Sequence, residues 1–232
     1  MQDIEMHNDN DISWLLQSYA AGGLSYASQA LVQSHLQMTD ENHHLLALCE
    51  AAICDGIETI SEEEIISDDI CWMDKGLEAI FSSKMEKPVL EDNPAQSLFQ
   101  PITPIANIYP DAIRSFFGSD LEKADWKKRM AGFSEIRAHK DLGDARLLRI
   151  SPGKAMPHHT HEGGVELTLI LKGSFHDGIG HYQKGDICIA YEGLDHKPVA
   201  GVEEECICFA VSEGLVRLPG LLGKILSPVV KY

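Results

Sequence analysis

The first part of this 232-residue chain is almost without basic residues. Residues 1–95 carry 19 Asp and Glu against three Lys (Lys75, Lys84, Lys87), so 3 − 19 = −16; residues 96–232 carry 17 acidic and 16 basic residues, so 16 − 17 = −1. A segment at −16 is repelled by DNA, RNA and anionic lipid, which need Lys or Arg to displace their counterions. Its natural mate is a basic surface, such as nucleic-acid-binding proteins carry, and the other reading is that the excess acid serves solubility or a salt-tolerant host. The sequence also lacks an apolar run long enough to cross a bilayer. Residues 1–11 lack the basic n-region and apolar core of a secretory signal, so the expectation is a cytoplasmic protein. No C-x-x-C occurs among the six cysteines (Cys49, Cys54, Cys71, Cys188, Cys206, Cys208), which removes a zinc ribbon and a simple thiol redox motif. In a reducing compartment these are thiols rather than a disulfide framework.

What is present is ordinary globular composition, 44% apolar and 24% charged. Two halves so different in charge point to two domains. Apolar residues recur at helical spacing over 12–20, where Gly22-Gly23 stop the run, then over 24–36, 44–53 (ending near Gly56) and 65–85. Four short amphipathic helices make a small bundle over 1–87 that exposes an apolar face. Residues 88–110 hold five prolines and read as a semi-rigid linker. Residues 111–232 then change texture. Short β-rich runs at 134–138, 145–150, 166–175, 186–190 and 206–211, parted by Gly, Pro and Asp turns, predict an all-β barrel or sandwich.

The chemistry concentrates in SPGKAMPHHTHEGGVELTLILKG, residues 151–173. His159 and His161, two apart on an extended chain, point to the same side and can face one metal. Glu166 follows the Gly163-Gly164 turn and starts the next strand, which places its carboxylate on the same interior. A fourth ligand is expected from a later hairpin, and GDICIAYEGLDH (185–196) ends in His196. His158 is an alternative to His159, although the spacing from Gly153 favours His159. His139, His176 and His181 match no motif position and read as surface residues or neighbours of the ligands. Three imidazoles and a carboxylate suit Zn, Fe, Mn, Ni or Cu. Four protein ligands close a tetrahedral zinc site, whereas an octahedral metal keeps positions open for substrate.

These two segments resemble the two cupin motifs. The first is matched at Gly153, His159, His161, Glu166 and Gly173, and the second at Gly185, Gly193 and His196. Tyr191 and Ala200 depart from it at positions that are not ligands. With LLQSYAAGGL (15–24), LVQSHL (31–36), DHKPVA (195–200), ECICFA (205–210) and RLPGLLGKILSPVV (217–230), nearly the whole chain resembles the ChrR-type anti-sigma factors. The resemblance implies an α+β multidomain protein, a small N-terminal helical bundle followed by a C-terminal cupin (double-stranded β-helix) barrel. It further implies a group IV (extracytoplasmic-function) sigma factor as partner and a cupin that takes part in the response to singlet oxygen or related oxidants. One divalent metal, zinc by preference, would sit on His159, His161, Glu166 and His196, and the cupin offers a route to a homodimer.

One departure matters. The family's anti-sigma domain carries H-x3-C-x2-C, and here His35 is kept while Thr39 and Asn42 replace the cysteines. His7 does not obviously match the spacing of an upstream ligand. His44, Cys49 and Cys54 are spaced by five on a helix, about 140° apart, and share no face. The N-terminal zinc site is therefore expected to be absent. Two other readings stand beside the regulator: a metal-dependent cupin enzyme of dioxygenase type, and a cupin sensor whose first domain binds no sigma factor.

Overall fold

The computed structural model describes residues 9–59, 108–118 and 120–217. Helix α1 (Asp9–Ala20) closes on Gly22-Gly23 as its sequence predicts. The Gly23 amide reaches the Ser18 carbonyl (2.8 Å), the Gly22 amide reaches Tyr19 (3.0 Å), and Gly22 sits at φ 69°. This is the paired capping pattern that a left-handed residue permits. Helix α2 (Tyr26–Met38) starts on Ser25, whose hydroxyl accepts from the Ser28 amide (3.2 Å). Helix α3 (His43–Thr59) runs through Gly56 rather than ending there. One glycine costs a helix only about 1 kcal/mol, too little to break it. The helix expected at 65–85, linker residues 88–107, His7, Cys71 and the segment 218–230 lie outside the described residues.

Pro110 opens a short helix, α4 (Asp111–Phe117), that leads into the β region. Among the described residues twelve strands follow, β1 (Lys127–Met130), β2 (Phe133–Arg137), β3 (Asp144–Ile150), β4 (His159–Glu162), β5 (Glu166–Lys172), β6 (Ser174–His176), β7 (His181–Gln183), β8 (Ile187–Ala190), β9 (Asp195–His196), β10 (Val199–Ala200), β11 (Cys206–Ser212) and β12 (Leu215–Arg217). The run at 166–175 is thus two strands. The break is Gly173, at φ 70°, where a Cβ would stand 2.5 Å from the Glu205 carbonyl oxygen. One six-stranded antiparallel sheet has the order β1-β2-β3-β11-β5-β8, and two three-stranded sheets, β10-β6-β7 and β12-β4-β9, complete the barrel.

Alternation along the strands sorts the core into two. Leu148, Ile150, Ile170, Phe175, Cys188, Cys206, Cys208 and Ala210 fill the barrel interior. The opposite faces of β5 and β11 carry Leu167, Leu169, Leu171, Ile207, Phe209 and Val211, and these pack with Leu15, Leu16, Leu31 and Ile113 of the helices in a single cluster. The apolar face expected on the helical bundle is therefore turned onto the barrel wall. Phe209 lies 5.9 Å from Phe116 and 5.5 Å, edge-on, from Phe117, while Tyr26 stacks on the far side of Phe116 (5.4 Å). Strand β11 is buried along all seven residues because its second face meets helices instead of water.

Candidate metal centre

Strands β4 and β9 pair so that His159 stands directly opposite His196. The two-residue period of β4 then turns His161 to the same interior side as His159, and both are buried. Glu166 enters from β5, across from the smaller sheet. The ligand atoms of His159, His161, Glu166 and His196 all lie within 4.8 Å of one another. Nε2 of His196 is 3.1 Å from Nε2 of His159 and 3.2 Å from Nε2 of His161. Oε1 of Glu166 is 3.9 Å from Nε2 of each of His159 and His161. His158 stands outside this group, half exposed and 3.4 Å from Asp195. His139, His176 and His181 are on the surface.

The rings are held from behind. Nδ1 of His159 is 2.9 Å from the Pro157 carbonyl, and Nδ1 of His196 is 3.1 Å from Oδ2 of the buried Asp177. A carbonyl and a carboxylate can only accept, so both rings donate from Nδ1 and turn Nε2 to the centre, where it carries a proton or binds a metal. At 3.1 Å the two Nε2 atoms can share a proton in the metal-free protein, and a tetrahedral metal at 2.0–2.1 Å would ask for nitrogens about 3.3 Å apart. The donor set fits one divalent metal ion. Asp177 is itself fixed by the amides of Ile179 (3.0 Å) and Gly180 (2.9 Å) on Oδ1. Ser212 donates to Oε2 of Glu166 (2.9 Å), leaving Oε1 for the centre.

Charge follows the same geometry. Burial works against the Glu166 carboxylate, but His159, His161 and Arg146 outweigh it and hold its pKa at about 2. Burial pushes His161 down to about 4, with the His159 and His196 rings adding to the fall. Burial also acts against charge on His159, yet the Glu166 carboxylate wins and raises it. A metal ion at the centre would take the place of that His159 proton. Burial pushes the Cys188 thiol well up, and its sulfur sits 3.9 Å from Asp177, so it is a packed thiol and not a ready thiolate.

Comparison with known proteins places the whole arrangement. Residues 117–216 match the family model of the ChrR cupin-like domain. The chain is 31% identical over 215 residues to the anti-sigma-E factor ChrR of Cereibacter sphaeroides, covering 92% of this chain and 93% of that one. It also matches the crystal structure of Rhodobacter sphaeroides SigE in complex with the anti-sigma ChrR, with 28% identity, a TM-score of 0.61, 87% of this chain and 96% of that chain covered. This chain belongs to the ChrR family of anti-sigma factors.

Membership in the ChrR family decides against the cupin enzyme, because the relative matched over nearly the full length is a regulator. It also directs attention to His35. Nδ1 of His35 is 2.7 Å from the Gly185 carbonyl on the barrel, and Nε2 is 3.1 Å from Nδ2 of Asn42. Both ring nitrogens are engaged. The Thr39 hydroxyl accepts from the Glu41 amide (3.0 Å). On α3, Cys49 is buried whereas Cys54 is exposed. Among the described residues no helix is long and apolar enough to cross a membrane.

Two residues that support the centre escape a motif search. Asp177 sits in a Asp-Gly turn that reads as ordinary hairpin punctuation. Ser212 is the last residue of an apolar strand, and pairing register alone sets it opposite Glu166.

Proposed function

We propose that this chain binds a group IV (extracytoplasmic-function) sigma factor through its helical part and keeps it from RNA polymerase and promoter DNA. The full-length similarity to a protein described as an anti-sigma-E factor, with a matching structure in a SigE complex, carries the reading. The charge of −16 over residues 1–95 supports it independently, since promoter-binding proteins need basic surfaces. His159, His161, Glu166 and His196 hold one divalent ion, zinc by preference, and four protein ligands make the site closed and sensory. Oxidants such as singlet oxygen are the signal that ends in release. No zinc occupies the N-terminal domain, because Thr39 and Asn42 supply no thiolate and His35 has both nitrogens in use. We place the domain limits at 1–87, 88–110 and 111–232, the protein in the cytoplasm, and any homodimer contact in the cupin.

The test is co-expression with the sigma factor encoded beside this gene, purification at low and high salt, and metal analysis of the same sample. Retention that weakens with salt, with one metal per chain, is expected. Absence of a complex at low salt from the full chain overturns the reading, and two zinc ions per chain overturn the zinc-free helical domain. Light scattering of the purified protein reports the homodimer.

A further inference from the structure

The metal cluster and helix α2 are joined by two adjacent residues. Ser212 and Glu213 leave β11 side by side, and they point to different parts of the molecule. Ser212 donates to Glu166, its cross-strand neighbour. Glu213 accepts from the hydroxyls of Ser25 and of the buried Ser28 (2.5 Å for Ser28) at the start of α2. Ser25 is the cap of that helix, and its hydroxyl also accepts the Ser28 amide. Donating its proton to Glu213 therefore aims the Ser25 lone pairs at the helix. A carboxylate at this position also meets the positive end of the α2 dipole.

The segment carrying both residues is stitched to the strand that carries Glu166. The Glu213 amide donates to the Val165 carbonyl (2.9 Å). A Cβ on Gly164 would stand 2.5 Å from the Glu213 carbonyl oxygen. Residues 164–166 cannot shift without moving 212–213.

We propose that Ser212-Glu213 is a latch through which occupancy of the metal cluster sets how firmly the first turn of α2 is docked on the barrel. This rests on the metal reading above and adds its regulation. An ion on Glu166 fixes the carboxylate, Ser212 holds the end of β11, and Glu213 then stays seated on Ser25 and Ser28. Loss or chemical change of the cluster frees the same chain of contacts. The coupling is reciprocal, so breaking the Glu213 contact weakens metal binding as well.

Amide hydrogen exchange on the full chain, with Zn²⁺ added or removed by a chelator, tests this, alongside Zn²⁺ affinity by competition with a chromophoric chelator. In the parent, Zn²⁺ should raise protection over residues 26–31 about five- to tenfold, in keeping with the net contribution of one ordinary hydrogen bond. Glu213→Ala should abolish that metal-dependent difference and weaken Zn²⁺ binding severalfold, and Glu213→Gln, which keeps an acceptor, should restore part of both. Ser212→Ala should uncouple the two ends while leaving Glu213 in place. A purely structural Glu213 would lower α2 protection equally with and without Zn²⁺, which overturns the latch. So does Zn²⁺ binding in the parent with no change over 26–31. Absence of Zn²⁺ binding overturns the metal reading and the latch together, whereas a working latch in a chain that binds no sigma factor overturns the anti-sigma reading alone.

Discussion

Replacing Asp177 by Asn puts the metal reading under its most direct strain. The two side chains have the same shape, so packing is unchanged, but one oxygen becomes an NH₂ group. Asp177 now serves two masters: Oδ2 accepts from Nδ1 of His196, and Oδ1 accepts from the Ile179 and Gly180 amides. Asn can satisfy one side. If its oxygen stays on the two amides, its NH₂ faces His196, which must then accept on Nδ1 and carry its proton on Nε2, aimed at the cluster. A protonated Nε2 is no ligand. Loss of such an outer partner lowers metal affinity by about 10–100-fold, or about 1.4–2.8 kcal/mol. If the amide flips instead, His196 keeps its tautomer while two amides face an NH₂, and the folding stability of the metal-free protein falls by about 1–3 kcal/mol. Competition titration with a chromophoric chelator reads the first outcome, and urea denaturation of the chelator-treated protein reads the second. A variant with parental affinity and parental stability refutes the role assigned to Asp177.

Other consequences are equally direct. Metal affinity should weaken on acidification, because His159 has a pKa raised above its ordinary 6.5 and its proton competes with the ion. In metal-free protein the same raised value contributes stability that is full below pH 6.5 and is lost as pH climbs through the folded-state pKa. A Zn²⁺ dissociation constant that stays flat between about pH 8 and pH 6 refutes this. Phe209→Ala removes a fully buried ring from between helix and barrel and should cost about 3–5 kcal/mol in chemical denaturation. Gly164→Ala would set a methyl 2.5 Å from the Glu213 carbonyl oxygen and should cost about 1–3 kcal/mol. With an alkylating reagent, Cys54 should react well before Cys188, Cys206 and Cys208, measured by mass spectrometry of native protein.

How much of this could be read from residues alone follows from range. The His159–His161 pair needs nothing beyond the period of a strand, and the turn at Gly163-Gly164 is a local signal for the strand beginning at Glu166. His196 needed the family spacing, because a contact across 35 or more residues leaves no local trace. Ser212 is set by pairing register and Asp177 by a hairpin turn, and a turn aspartate looks the same whether or not it holds a histidine. The docking of the helices does leave a local trace, since the unbroken apolar run at 206–211 means a strand buried on both faces. The break at Gly173 was hidden because β5 and β6 are separated by a single residue with no proline or polar cluster to mark it.

The two-sided burial of β11 limits how the helices and the barrel can part. Six side chains on the outer wall (Leu167, Leu169, Leu171, Ile207, Phe209, Val211) are kept dry by helices. Exposing all six would cost about 9–18 kcal/mol at 1.5–3 kcal/mol each, as much as the whole stability of a domain. Helices and barrel therefore melt together, and no ordinary signal strips one from the other. What the helices leave open to a binding protein is their outward side, where Trp14 is 43% exposed.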